Sequence, residues 1–404
     1  ASARWRPRAR TFPPIRWMMI FPSDAAPRGR LGEAFGLCAL ALALLAAPPS
    51  SAAADEPRAG FDDGERARLE RAYAHRLPDP LQTLRLTQPR RGVRDGVGFV
   101  DWELEQDGLA TPPLIIAAGG SGGGFWLGGP LTVPFSRMLG EALGRSGFSV
   151  RSLAYFGEED LPDFMGEERL APRLDERALE PIARLIEEAR TTGGVENRCL
   201  GFIGVSAGGQ LTLLLAAYEN ALSDDEGRVF DAAVAAVPSH VVFQSPRVTL
   251  ARRSAWSLGG EPLDFVPFPW FSVHTLPAIF NIPDVRPLME AALRNEDAVR
   301  AAAIPVEQIR APVRMIGARR DASWPSAEMS QTALGRADRL APGHALSVSL
   351  YDMDHFVFAR PEPVLDAVAY LYGRLREAAA SGHCQADFLP PRSAPPDRGG
   401  ASGD

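Results

Sequence analysis

Lysine is absent from the 404 residues, so all 43 positive charges are arginines. That excludes Schiff-base chemistry, a serine–lysine dyad and a phosphate-loop lysine, and leaves histidine or a carboxylate as any proton-accepting base. Cysteine is scarce too, with three in the chain, too few for a paired-cysteine metal site. Cys38 lies in a segment expected to be removed, and its flanks "FGLCAL" lack the small residues of a lipoprotein cleavage site. Cys199 and Cys384 then remain, either as one disulfide or as two free thiols. No repeat of 20–50 residues is visible. One apolar run stands out, "FGLCALALALLAAP" (Phe35 to Pro48), and it is short of the roughly 20 residues that span a bilayer.

That run is better explained by export. The chain opens on a residue other than Met, and Met18 and Met19 follow an Arg-rich stretch, so translation is expected to start at one of them. Arg28 and Arg30, the apolar run and then "SSAAADEP" have the order of a secretory signal peptide. Cleavage after Ala54 gives a secreted or periplasmic protein with no stable membrane insertion. Without residues 1–54 the chain carries 36 Arg against 48 acids, a net charge near −12. Such a surface disfavours a nucleic-acid partner. With 46% apolar and 23% charged residues, the remainder is an ordinary globular chain.

Residues 55–95 read as an N-terminal extension, and residues 96–380 as an alternation of strands and helices. Strands are expected at "GVGFVDWELE", "LIIAA", "FSVRSLAYF", "CLGFIGVS", "FDAAVAAVPS", "PVRMIGA" and "ALSVSLYDM", with a closing helix at "PVLDAVAYLYGRLREAAA". This predicts a mostly parallel sheet with helices on both faces. Residues 239–305 interrupt the alternation with Phe243, Trp256, Phe265, Phe268, Trp270, Phe271 and Phe280 among prolines. An insertion there reads as a cap or lid over the sheet's C-terminal edge, or as a satellite core. Residues 381–404 read as a disordered tail.

In "GVSAGG" (Gly204 to Gly209) a strand ends and a helix begins around Ser206, the setting of the G-x-S-x-G nucleophile elbow. A hydroxyl needs a base, and the base needs an acid to hold its tautomer. Of the downstream histidines, His355 in "SLYDMDHFVF" directly follows the last strand. His344 sits at that strand's wrong end and His383 in the tail, both read as solvated; His240 follows an earlier strand and His274 lies in the insertion, where either could touch substrate but neither stands where the base belongs. Asp321 ends the penultimate strand, whereas Asp352 and Asp354 are too close to His355 along the chain to reach its ring. The developing oxyanion needs donors: the amide of Ala207 is one, and Ser121 or Gly122 in the glycine-rich "GGSGGGFW" is the other. The same glycines are a weak match to a dinucleotide loop.

Together with "GFSVRSLAYFGEEDLPDFM", "IPVEQI", "GARRDASWPS" and "YDMDHF", these segments make the chain resemble the C-terminal domain of the acyl-CoA thioester hydrolase and bile acid-CoA:amino acid N-acyltransferase family, roughly from Gly96 to Leu375. The resemblance implies an α/β-hydrolase fold with Ser206 as nucleophile, Asp321 as acid and His355 as base, and no cofactor or metal. The transferases carry cysteine where Ser206 stands, so the resemblance implies water as acceptor. The family's N-terminal β-sandwich is expected to be absent or vestigial, and export separates the enzyme from acyl-CoA. The expectation is a serine hydrolase of small-molecule acyl esters or thioesters. The rivals are a peptidase or dienelactone-type hydrolase, and a catalytically silent protein binding an apolar ligand.

Overall fold

A computed structural model describes residues 90–104, 109–127, 134–157, 170–191, 194–223, 228–246, 252–269 and 285–389. All of these belong to the unit Arg68–Asp404. The expected signal peptide, residues 55–89 of the extension, and Trp270, Phe271, His274 and Phe280 lie outside the described residues.

The sheet starts inside the expected extension. Strands β1 (Arg90–Arg94) and β2 (Val97–Trp102) form an antiparallel hairpin with Arg94 opposite Val97. The two residues between them, Asp95 and Gly96, have φ of 50° and 73°. Asp-Gly is a pair suited to a two-residue turn that requires positive φ, so "VRDGVG" carried a hairpin signal and the domain begins by residue 90 rather than 96. Beyond the hairpin come β3 (Leu114–Ala118), β4 (Ser149–Ala154), β6 (Leu200–Val205), β7 (Ala232–Ala236), β10 (Val313–Ala318) and β11 (Leu346–Tyr351). Their order across the sheet is β1-β2-β4-β3-β6-β7-β10-β11. Every pairing from β4 to β11 is parallel.

Parallel strands covered on both faces read as unbroken apolar runs, and their side chains still alternate. In β3, Leu114, Ile116 and Ala118 enter one core, with helices α2 (Glu180–Arg190), α3 (Ala207–Ala217) and α6 (Ser326–Leu340). Ile115 and Ala117 enter the other, with α1 (Pro134–Arg145) and α7 (Pro361–Ala380). Two short helices, α4 (Arg286–Leu293) and α5 (Glu296–Ala301), precede β10.

The absence of lysine shows in the interior. Arg151 is buried on β4 and places two nitrogens on the Asp101 carboxylate at 2.6 and 2.8 Å and a third on the Leu185 carbonyl at 2.9 Å. A planar guanidinium can meet three fixed acceptors at once, which an ammonium cannot do with the same geometry. Arg198 holds the Glu103 carboxylate with two nitrogens and the Pro112 carbonyl with a third, and Arg190 places one nitrogen on Asp231 and another on the Arg228 carbonyl. Burial pushes the Glu103 carboxyl up, but the hydrogen bonds and charge of Arg198, with Ser149 and Arg151, together outweigh this and hold it below the usual range.

The end of the chain differs from expectation. Residues 381–389 are tied down: the Gln385 carbonyl accepts from Cys199 N–H at 3.0 Å, and Gln385 N–H donates to Asn197 at 2.7 Å. Cys384 is disulfide-bonded to Cys199, 185 positions earlier. The polar composition that suggested disorder starts in earnest only at Pro390, outside the described residues. Cys199 precedes β6 and Ser206 follows it, so the bond lies at the opposite end of the strand from the candidate nucleophile. Cys384→Ser is therefore expected to cost about 2–5 kcal/mol of stability, seen as a lower midpoint in thermal unfolding. Activity at 25 °C should be unchanged; an unaltered midpoint would show that the bond constrains nothing.

In the insertion, the short strands β8 (Trp256–Leu258) and β9 (Glu261–Pro262) join β5 (Arg177–Ala178), which precedes α2, in a second small sheet. Val241, Phe243, Val266, Phe268, Leu288, Ala292 and Ala302 form a core of their own that also takes in Trp324 and Met329. Through Trp324 this core abuts the site described next.

Candidate active site

Parallel strands end on one edge, and the chemistry-bearing residues gather there. Ser206 links the end of β6 to the start of α3, with φ 60° and ψ −118°. A non-glycine residue seldom adopts positive φ, and here the surroundings enforce it: Ser206 N–H donates to the Ala236 carbonyl at 3.0 Å, and the Ser206 carbonyl accepts from Gln210 N–H at 3.0 Å. The flanking glycines are required by contact. A Cβ on Gly204 would lie 2.0 Å from the Gly208 carbonyl oxygen, and one on Gly208 would lie 2.4 Å from that of Ala118.

Asp321 follows β10 and is fully buried. Its Oδ1 accepts from the amides of Ser323 at 2.9 Å and Trp324 at 3.2 Å. Both carboxylate oxygens lie 2.9 Å from His355 Nδ1. That leaves Nε2 as the ring nitrogen available toward a nucleophile. Trp324 packs edge-on against the His355 ring at 5.9 Å between centroids.

β10 and β11 lie two and three strands from β6, roughly 10 and 14 Å away at about 4.8 Å per strand. The acid and base therefore have to reach back across β7. Trp324 makes that connection: its indole N–H donates to the Val237 carbonyl at 3.0 Å, one residue past the Ala236 carbonyl that holds Ser206. Val237 is itself at φ 42°, a strained conformation for a β-branched residue. Ser206 and the Asp321–His355 pair are thus anchored on adjacent residues at the end of β7. Sequence reasoning passed over both Trp324 and Val237, although Trp324 stands three positions after Asp321 in "DASWPS".

The other candidates divide. Asp352 pairs with Arg320 at 3.0 Å and Asp354 accepts from Phe356 N–H at 3.0 Å, so neither is aimed at His355. His344 is packed, in correction of the solvated reading: its ring bonds Asp338 at 2.9 Å and accepts from Leu346 N–H at 3.0 Å. His383 is exposed beside Ser381. Burial, with Arg336 nearby, pushes the His240 imidazole down to about 4, so it stays neutral. Among the described residues no group of His, Cys, Asp or Glu is arranged to hold a metal ion. No helix among them is long and apolar enough to cross a membrane.

The glycine-rich loop after β3 lies against Ser206: a Cβ on Gly120 would sit 3.1 Å from Ser206 Cβ. The amides of Gly123 and Gly124 are occupied by the carbonyls of Gly120 and Phe156. Ser121 and Gly122 are both exposed in the same turn. Ala207 begins α3 immediately after Ser206, where helix amides lack intrahelical partners.

The strand order and the serine elbow define the class: an α/β-hydrolase. Residues 189–352 match the family model described as "BAAT / Acyl-CoA thioester hydrolase C terminal", and over that segment the chain resembles this family. No curated protein matches by sequence. Similar solved structures include an esterase from Pyrococcus furiosus (13% identity, 72% of this chain and 92% of that one, TM-score 0.43). An acylaminoacyl peptidase from Pyrococcus horikoshii is 14% identical over 78% of this chain and 43% of its own, TM-score 0.45. Est1E from Butyrivibrio proteoclasticus is 13% identical over 72% of this chain and 100% of its own, TM-score 0.40.

The Asp321–His355 bond is directly testable. Asp321→Asn keeps the shape but presents an amide N–H or the wrong acceptor to Nδ1, so the imidazole loses its productive tautomer. Turnover should fall by roughly 10⁴-fold with the fold intact. An unchanged kcat would remove Asp321 from the machinery.

Proposed function

We propose that this protein is an exported serine hydrolase of acyl esters or thioesters acting through Ser206, His355 and Asp321. The observation that carries the reading is the Asp321–His355 pair and the Ser206 elbow anchored together on Ala236 and Val237. Ser206 Oγ attacks the acyl carbon while His355 Nε2 takes its proton, and the tetrahedral oxyanion is met by the Ala207 amide and one from the glycine loop. Collapse expels the alcohol or thiol, which carries away the proton from His355; water then attacks the acyl-enzyme by the same route. Asp321 orients the imidazole and stabilises the positive charge it acquires.

Two features bear on substrate and location. Phe243 stacks on Phe268 and on Trp324, at 6.1 and 5.9 Å, so an aromatic wall runs up to the base and suits an apolar acyl or leaving group. The Cys199–Cys384 disulfide favours an oxidising compartment, in keeping with the expected signal peptide. Serine rather than cysteine as nucleophile favours water over an amine as acceptor. Initial rates on p-nitrophenyl esters and acyl-CoA thioesters of graded chain length test the reading: hydrolysis of at least one series is expected, with kcat/KM rising with acyl length. A folded sample that cleaves neither and resists a fluorophosphonate would sink it.

A further inference from the structure

Tyr155 directly follows β4, is completely buried, and takes no part in the mechanism above. Its hydroxyl donates to the Gly119 carbonyl at 2.7 Å and lies 3.4 Å from the Gly120 carbonyl. The Gly120 carbonyl also accepts from Gly123 N–H at 3.3 Å. Two consecutive peptides of the glycine loop are therefore gripped by their oxygens. In a trans peptide the N–H points opposite to the C=O, so these contacts direct the amides of Gly120 and Ser121 away from Tyr155. The loop is otherwise loose: five of residues 119–124 are glycine, with little conformational preference of their own.

The ring of Tyr155 is held in turn. It packs on Phe156 at 5.1 Å and on Trp256 at 5.5 Å between centroids. The Trp256 indole N–H donates to Gln210 Oε1 at 2.5 Å, and Gln210 sits in the first turn of α3, its amide bonded to the Ser206 carbonyl. A chain of contacts thus runs from the nucleophile's own helix through Trp256 and Tyr155 to the loop facing it. Burial pushes the phenol well above its ordinary range, so the hydroxyl remains a donor at any working pH.

We propose that Tyr155 is a positioning residue for the oxyanion hole: by holding the Gly119 and Gly120 carbonyls, it presents the Ser121 amide to the developing negative charge. Of the two amides the sequence left open, Ser121 is the one on a peptide that Tyr155 grips; the Gly122 amide belongs to the next peptide. The inference rests on the serine-hydrolase reading. It goes further by assigning a role to a tyrosine that touches neither substrate nor any catalytic side chain.

The test is Tyr155→Phe, which deletes one oxygen and keeps the ring. On the best p-nitrophenyl ester, kcat should fall roughly 10- to 100-fold, less than for outright loss of an oxyanion donor, with KM within about twofold. A trifluoromethyl ketone, which forms a tetrahedral adduct on serine, should bind weaker by the same factor as kcat/KM, whereas the product carboxylic acid should bind unchanged. Ser121→Pro, which deletes the amide itself at an exposed position, should lower kcat at least as much, and Tyr155→Phe should add little to it. The proposal is overturned by wild-type kcat in either variant, by equal weakening of ketone and product acid, by additive losses in the double variant, or by failure of Tyr155→Phe to fold, which would mark the hydroxyl as structural. Wild-type inertness to esters and fluorophosphonate would instead overturn the hydrolase reading, whatever Tyr155→Phe does.

Discussion

Ser206→Ala is expected to abolish covalent labelling by a fluorophosphonate and to lower ester turnover by roughly 10⁴- to 10⁶-fold, the scale of losing a nucleophile that works as one unit with its base. Ser206 lies half-buried at the mouth of the elbow, and its side chain accepts no cap bond from the first turn of α3, so the fold should survive. Thermal unfolding of the variant should match wild type within a few degrees. His355→Ala should reproduce the loss of turnover, because without the imidazole no other group bonded to Asp321 can accept the serine proton. Labelling that persists in Ser206→Ala would place the nucleophile elsewhere; matched loss of labelling and of folding would leave the serine as packing.

Gly208→Ala is expected to do the reverse, removing the fold along with activity. The added methyl would meet the Ala118 and Gly119 carbonyl oxygens at 2.4 and 2.5 Å, distances that no side-chain rotation relieves because both partners are backbone. Either β3 or α3 has to move, and β3 is central to the sheet with both faces buried. Destabilisation beyond about 3 kcal/mol follows, at the high end for overpacking, with loss of soluble yield or a large drop in the denaturation midpoint. Gly122→Ala is the control: a Cβ there has no neighbour within 4 Å, and stability should change by less than about 0.5 kcal/mol. A Gly208→Ala protein of wild-type stability would mean that α3 does not press on the glycine loop as described.

The two results probe different parts of what was legible. The alternation of apolar runs and helical segments placed every strand of the main sheet except β1, because a strand buried on both faces must be apolar along its length, as "LIIAA" and "FDAAVAAV" are. The order Ser206, Asp321, His355 was legible for a related reason: in a parallel sheet each strand's C-terminal end opens on one edge, so a residue's place in the alternation indicates its place in the site. The hairpin at Asp95–Gly96 was legible in its dipeptide and went unread because "RRGVR" looks polar; it is an edge strand exposed for much of its length. The strands Arg177–Ala178 and Glu261–Pro262 carried no signal at all, being two residues long.

By itself the sequence determined the class of the sheet, the serine elbow, and which histidine and aspartate stand after its last two strands, since these follow from local pattern and chain order. Only the tertiary structure decided that Trp324 ties the acid loop to Val237, that Cys199 reaches Cys384, and that Tyr155 holds the glycine loop. Those contacts join residues 87, 185 and 36 positions apart. No periodicity encodes such pairings; they exist because folding brings separate strand ends to one edge, where a donor and an acceptor shielded from water must find each other.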